Sequence, residues 1–115
     1  MPRRSWPAEW QRGLLPAVVL GMLNQRPQHG YAIAQELERC GWGTIRGGTL
    51  YPTFRNLEAQ QLIAGTWEAQ DRGPARKYYH LTTDGVRAAA EHRIAWDRLS
   101  QSMSGLLGRE ESHDA

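Results

Sequence analysis

The chain has 115 residues, 40% hydrophobic and 23% charged, with five tryptophans, a balance that marks a folded chain of one small domain. Lys and Arg number 14 against 12 Asp and Glu, so the formal charge of +2 excludes a heavily basic scaffold while allowing a local basic face. The lone Cys40 excludes an intramolecular disulfide or a cysteine-rich metal site, and no apolar run nears the ~20 residues of a membrane span.

Arg3, Arg4, Arg12 and Arg26 face a single Glu9 in the first thirty residues, whereas Arg109 is outnumbered by Glu110, Glu111 and Asp114 at the end. The opening "MPRRSWPAEWQRGLLPAVVL" sets basic residues before an apolar run. That run, Leu14–Leu23, is interrupted by Pro16 and Gly21 and leads into "NQRPQHG" instead of a small-residue cleavage site, so a cytoplasmic location is expected. Apolar residues at three- and four-residue steps (Leu14, Leu15, Val18, Val19, Met22, Leu23) predict a first helix from Gln11 or Gly13 to Gln25, with Pro16 in its first turn.

A second helix is expected over Tyr31–Arg39, closed by the glycine-rich "CGWGTIRGG", in which Thr44–Arg46 could form a short strand. The third helix is expected from Thr49 to Gln60 or Gln61. Two strands, Leu62–Gln70 and Ala75–Thr82, flank the turn "DRGP", with Tyr79 and Leu81 on one face and Tyr78 and His80 on the other. "TTDG" then opens a long helix, Asp84–Leu107, capped by Thr82 or Thr83. Three helices, a hairpin and a long helix predict an α+β winged helix-turn-helix. The divisions expected are a DNA-binding domain at 11–82, a dimerisation helix at 83–107 and a disordered tail at 108–115.

At 100° per residue, Leu50, Phe54, Leu57 and Gln61 share one sector of the third helix. Opposite lie Gly48, Pro52, Arg55 and Ala59, with Thr49 and Asn56 on a shoulder. Arg matches guanine and Asn matches adenine in a major groove, and the amides of "GGT" suit a phosphate. An ordinary solvated face carries the same residue types; the hairpin that follows, with Arg72 at its tip and Arg76 and Lys77 behind, favours DNA.

"HGYAIAQEL", "GTLYPTFRNLE" and "RKYYHLTTDG", in that order, resemble the second-helix, recognition-helix and strand motifs of the PadR family of winged-helix transcriptional regulators. The similarity runs from about Leu14 to Leu107 and is greatest to the short members with one C-terminal helix. It departs from the family at Gln61, which replaces a usual glycine, at Phe54, which replaces a common leucine, and at Pro74 and Ala75 in the wing. The resemblance implies an operator-binding regulator, with Thr49, Tyr51, Pro52, Arg55, Asn56, Arg72, Arg76 and Lys77 at the DNA.

In the last helix His92, Trp96, Leu99, Met103 and Leu106 alternate steps of four and three, the spacing of an interhelical seam. A cover for the chain's own core is the other reading, yet so long a helix outruns so small a domain. The family's dimerisation through this helix and the first adds Leu14 and Val18 to a homodimer interface, and would present two recognition helices to a palindromic operator. Trp96 also resembles a tryptophan of a multidrug-sensing branch that stacks on flat aromatic compounds. On that resemblance Leu15, Val18, Val19 and Met22 would line an effector cavity and Asp97 would meet a cationic ligand; simple packing across the seam is the alternative. Trp6, Trp10, Trp42 and Trp67 read as surface anchors or core pieces.

No phosphate loop, HExxH or serine elbow occurs, and neither an enzyme nor a metal or other cofactor is expected. His29 reads as a cap or packing residue, and Cys40 as either inert or an oxidation sensor. The compact chain points to repression over activation. The competing function is a winged-helix module that binds protein without reading DNA.

Overall fold

A computed structural model describes residues 6–108. The order is α1 (Ala8–Gln25), β1 (Gln28–His29), α2 (Gly30–Leu37), a wide helical turn (Glu38–Trp42), α3 (Gly47–Ala59), β2 (Ile63–Glu68), β3 (Arg76–Leu81) and α4 (Thr83–Leu107). This is an α+β winged helix with a hairpin wing and a long C-terminal helix. Arg3 and Arg4, and all of the expected tail except Gly108, lie outside the described residues.

α1 starts earlier than its apolar pattern indicates. Pro7 takes the N-cap position, its carbonyl accepts from Trp10 N–H at 3.1 Å, and Glu9 supplies a negative charge in the first turn. Pro16 therefore sits in the helix interior, where its ring removes one i→i−4 hydrogen bond. Burial of Gln11 before it, and of Leu15, Val19, Leu20 and Leu23 around and after it, keeps the helix on the core across that break.

The expected strand at Thr44–Arg46 does not form. The third strand is instead β1, which pairs antiparallel with β3 through Gln28↔Tyr79 and His29↔Tyr78, giving the sheet order β1-β3-β2. α2 ends two residues before Arg39 and runs into the wide turn, where Gly41 holds a φ of 96° and Gly43, just after it, one of 75°. At its start, Gly30 lets α2 lie close on α3, since a Cβ there would come within 2.8 Å of the Phe54 ring.

Leu50, Phe54 and Leu57 are buried as the helical sectors predict, but Gln61 is not with them. It lies beyond the helix, exposed, at φ 61°. Leu62 N–H donates to the Leu57 carbonyl at 3.0 Å and Gln61 N–H to that of Glu58 at 2.9 Å, the paired closure in which the residue at Gln61 must be left-handed. The termination typical of glycine is thus kept without the glycine.

β2 and β3 pair from Ile63↔Leu81 to Glu68↔Arg76. Tyr79 turns inward on Phe54, ring centroids 4.4 Å apart, joining Leu20, Ile33 and Val19 in the core. Thr82 caps α4: its hydroxyl oxygen accepts from Gly85 N–H at 3.0 Å while the hydroxyl donates to the Gln61 carbonyl at 2.7 Å. A Cβ on Gly85 would overlap the Leu62 carbonyl oxygen, so the root of α4 is nested against the corner that ends α3. The rest of α4 crosses α1 and then projects, stretching the molecule to 61 Å along its main axis.

Candidate nucleic-acid interface

Burial of Phe54 and Leu57 turns the opposite side of α3 outward. Arg55 and Asn56 are exposed there, and among the described residues their side chains make no hydrogen bond or ion pair. Thr49 and Tyr51 are exposed on the first turns and Pro52 is half-buried. Tyr51 stands edge-on to Phe54 at 5.7 Å, which fixes its ring while its hydroxyl end stays open. The "GGT" start is partly engaged: Thr49 N–H donates to the Arg46 carbonyl at 2.9 Å, leaving the amides of Gly47 and Gly48 without an acceptor among the described residues.

The wing holds its cations in different states, and Arg76 and Lys77 line the same cleft as Arg55. Arg72, near the tip, is exposed. Arg76 lies with its guanidinium 5.5 Å from the centre of the exposed Tyr31 ring, a cation–π contact that steadies it without removing its donors from solvent. Lys77 differs, because its Nζ sits 2.8 Å from Glu58 Oε2 of α3 and both side chains are only 27% exposed. His29 clasps the wing from β1: its Nδ1 lies 3.3 Å from the Lys77 carbonyl, its Nε2 3.3 Å from Glu68, and its ring is edge-on to Tyr78. His29 is the residue before α2, and its side chain makes no capping bond. Between α3 and the wing these groups leave a cleft of about 530 Å³ rimmed by Tyr31, Tyr51, Arg55, Trp67 and Arg76. A surface of arginines, aromatic faces and free amides can hold a phosphate backbone and present side chains to base edges.

A second concavity lies on the far side of α1. Leu14, Ala17, Val18 and Gly21 of α1 and Ala89, His92, Trp96 and Leu99 of α4 line a groove of about 510 Å³, to which Trp42 also contributes. Trp96 is 46% exposed. Of the expected cavity residues, Val18 and Trp96 line the groove, but Leu15 and Val19 point into the core, Met22 packs beside it, and Asp97 pairs with Arg93 at 3.4 Å. The stripe 14–17–18–21 carries the missing residues; spacing alone could have found it had Ala17 and Gly21 counted as a face. Trp42, brought in by the turn after α2, gives no such signal. Met103 is half-buried, and Leu106 is 81% exposed at the projecting end. Cys40 is exposed, 3.5 Å from Glu36, whose carboxyl is held low by its hydrogen bond to Arg39.

Residues 19–91 match the model of the PadR-like family of transcriptional regulators. The chain is 35% identical over 97 residues to the transcriptional regulator Rv3488 of Mycobacterium tuberculosis, covering 84% of this chain and 89% of that one. It resembles the crystal structure of a PadR-like transcriptional regulator of Bacillus cereus, with a TM-score of 0.78 and 30% identity over 90% of this chain and all of the other. It also shares its fold with Bacillus subtilis PadR in complex with operator DNA, with a TM-score of 0.64 and 23% identity over 70% of this chain and 47% of that one. α3, the wing and the root of α4 all fall within the matched span, and the chain belongs to the PadR-like family of winged-helix transcriptional regulators, DNA-binding proteins rather than enzymes.

Proposed function

We propose that the protein is a sequence-reading repressor, acting as a two-fold dimer whose two α3 helices enter successive major grooves of a palindromic operator. The observation that carries this reading is the unpaired state of Arg55 and Asn56 on the outward face of α3, beside a wing bearing Arg72 and Arg76. Such side chains are free to meet base edges, with Thr49, Tyr51, Pro52 and the Gly47–Gly48 amides grading into the backbone. The half-exposed apolar strip of α4, with Leu14 and Val18 of α1, supports dimerisation through the α1–α4 side. The groove walled by Trp96 lies on that same side. A planar aromatic effector seated there releases DNA if it prefers a dimer with altered reader spacing.

Fluorescence anisotropy with the DNA immediately upstream of this protein's own gene, against a scrambled fragment, tests the reading. Binding should be tighter to the native fragment, fall steeply with salt, and weaken roughly ten- to hundredfold in Arg55→Ala, the loss of a bidentate base contact. An unchanged affinity in that variant would show that α3 reads with other residues. Equal, weak binding to both fragments would favour a protein-binding module.

A further inference from the structure

Lys77 lies in a wing whose other cations are open to solvent, yet its own charge is spent inside the protein. Its Nζ meets Glu58 Oε2 at 2.8 Å and stands between two rings, 5.7 Å from the centre of Trp67 and 5.6 Å from that of Tyr79. Its methylene stem crosses Gly65 so closely that a Cβ on Gly65 would overlap it. β2 contributes Gly65 and Trp67, β3 contributes Lys77 and Tyr79, and α3 contributes Glu58. The His29 ring approaches the Lys77 carbonyl from the opposite side, so the backbone of this residue is held as well as its tip.

From this we infer that Lys77 and Glu58 are positioning residues: a partly buried strut that sets the angle of the wing against the recognition helix, and not a phosphate contact. The inference rests on the DNA-reading function proposed above and specifies how its two DNA-facing elements are kept in register. Glu58 and Asn56 are two residues apart on α3, and Lys77 and Arg76 are neighbours on β3. Strain on the strut therefore reaches base-reading and phosphate-holding groups together. A half-buried pair on two different elements resists rearrangement more than an exposed pair on one helix, such as Arg87–Asp84.

The two roles predict opposite signs for the carboxylate. Removing a negative charge beside DNA ordinarily tightens binding. If the strut holds, Glu58→Gln weakens binding instead. Operator affinity would be measured over a range of salt for the wild type, Glu58→Gln, Lys77→Met and the double variant, with hydrogen exchange of the free proteins followed at 63–68 and 76–81. Lys77→Met keeps the stem over Gly65, and folding is checked by thermal melting. Each single variant should lose roughly fivefold in affinity, the double no more than either, with an unchanged salt slope and faster exchange in the wing. Restoring the cation with Lys77→Arg should recover most of the affinity. Overturning results are a tighter Glu58→Gln, or a Lys77→Met loss accompanied by a salt slope lower by about 0.9 per phosphate contact. If the wild type binds no operator at all, the DNA-reading proposal falls, and the strut's role in it falls too. Specific wild-type binding with unaltered variants sinks the strut alone.

Discussion

Gln61 is the only non-glycine described residue with a positive φ, and it stands where the closure of α3 calls for glycine. A left-handed L-residue carries a penalty of roughly 1–2 kcal/mol, part of which glycine gives back through its freer unfolded chain. Gln61→Gly should therefore stabilise the fold by about 0.5–1 kcal/mol, seen as a higher urea midpoint at unchanged slope. A lower midpoint would show that the glutamine side chain compensates for its backbone. Tyr79 carries a second residue-scale consequence. Burial, then the nearby charge of Glu58, push its hydroxyl up to about 12. The unfolded chain releases that proton near pH 10, so the contribution is full below about pH 10 and is lost as pH rises towards 12. Tyr79→Phe should flatten the fall in urea stability between about pH 10 and pH 12; an equally steep fall in the variant would place the loss elsewhere.

At the scale of elements, the long helices and the hairpin were legible because their apolar periods are strong and their breakers clear. Strand alternation set Tyr78 and Tyr79 on opposite faces but left open which of the two turns inward; packing on Phe54 decides for Tyr79. β1 was not legible: two residues have no period, and Gln28 and His29 are extended only because β3 lies alongside. The same limit applies to α1, where Pro16 reads locally as a start and is overridden by burial on both sides of it. In the candidate interface, the outward face of α3 could be laid out on a helical wheel, whereas the pairing of Lys77 with Glu58 joins residues 19 apart in sequence and depended on the hairpin's register. α4 makes its own demand. Leu99 is half exposed and Leu106 almost wholly so, too much apolar surface on one strip for an isolated helix end. Leu99→Lys should shift the proposed dimer to monomer in analytical ultracentrifugation at micromolar concentration. A dimer that persists would put the subunit contact elsewhere.

Across the whole molecule, the nest beneath Gly85 has a mechanical meaning. Thr82 is bonded through its side chain to the Gln61 carbonyl and through its amide to that of Leu62, at 2.7 and 3.1 Å, while Gly85 closes on the same corner. The end of α3 and the beginning of α4 thus share one tightly bonded joint. α4 is 25 residues long, a lever arm of about 36 Å. A tilt of only ~5° about that joint moves its far end by about 3 Å, and the converse holds for a displacement imposed along the arm. In the proposed dimer, two such arms lie against each other, so a ligand wedged beside Trp96 need not unfold or loosen anything. A few degrees of scissoring suffice to throw two readers out of step with a groove repeat of about 34 Å.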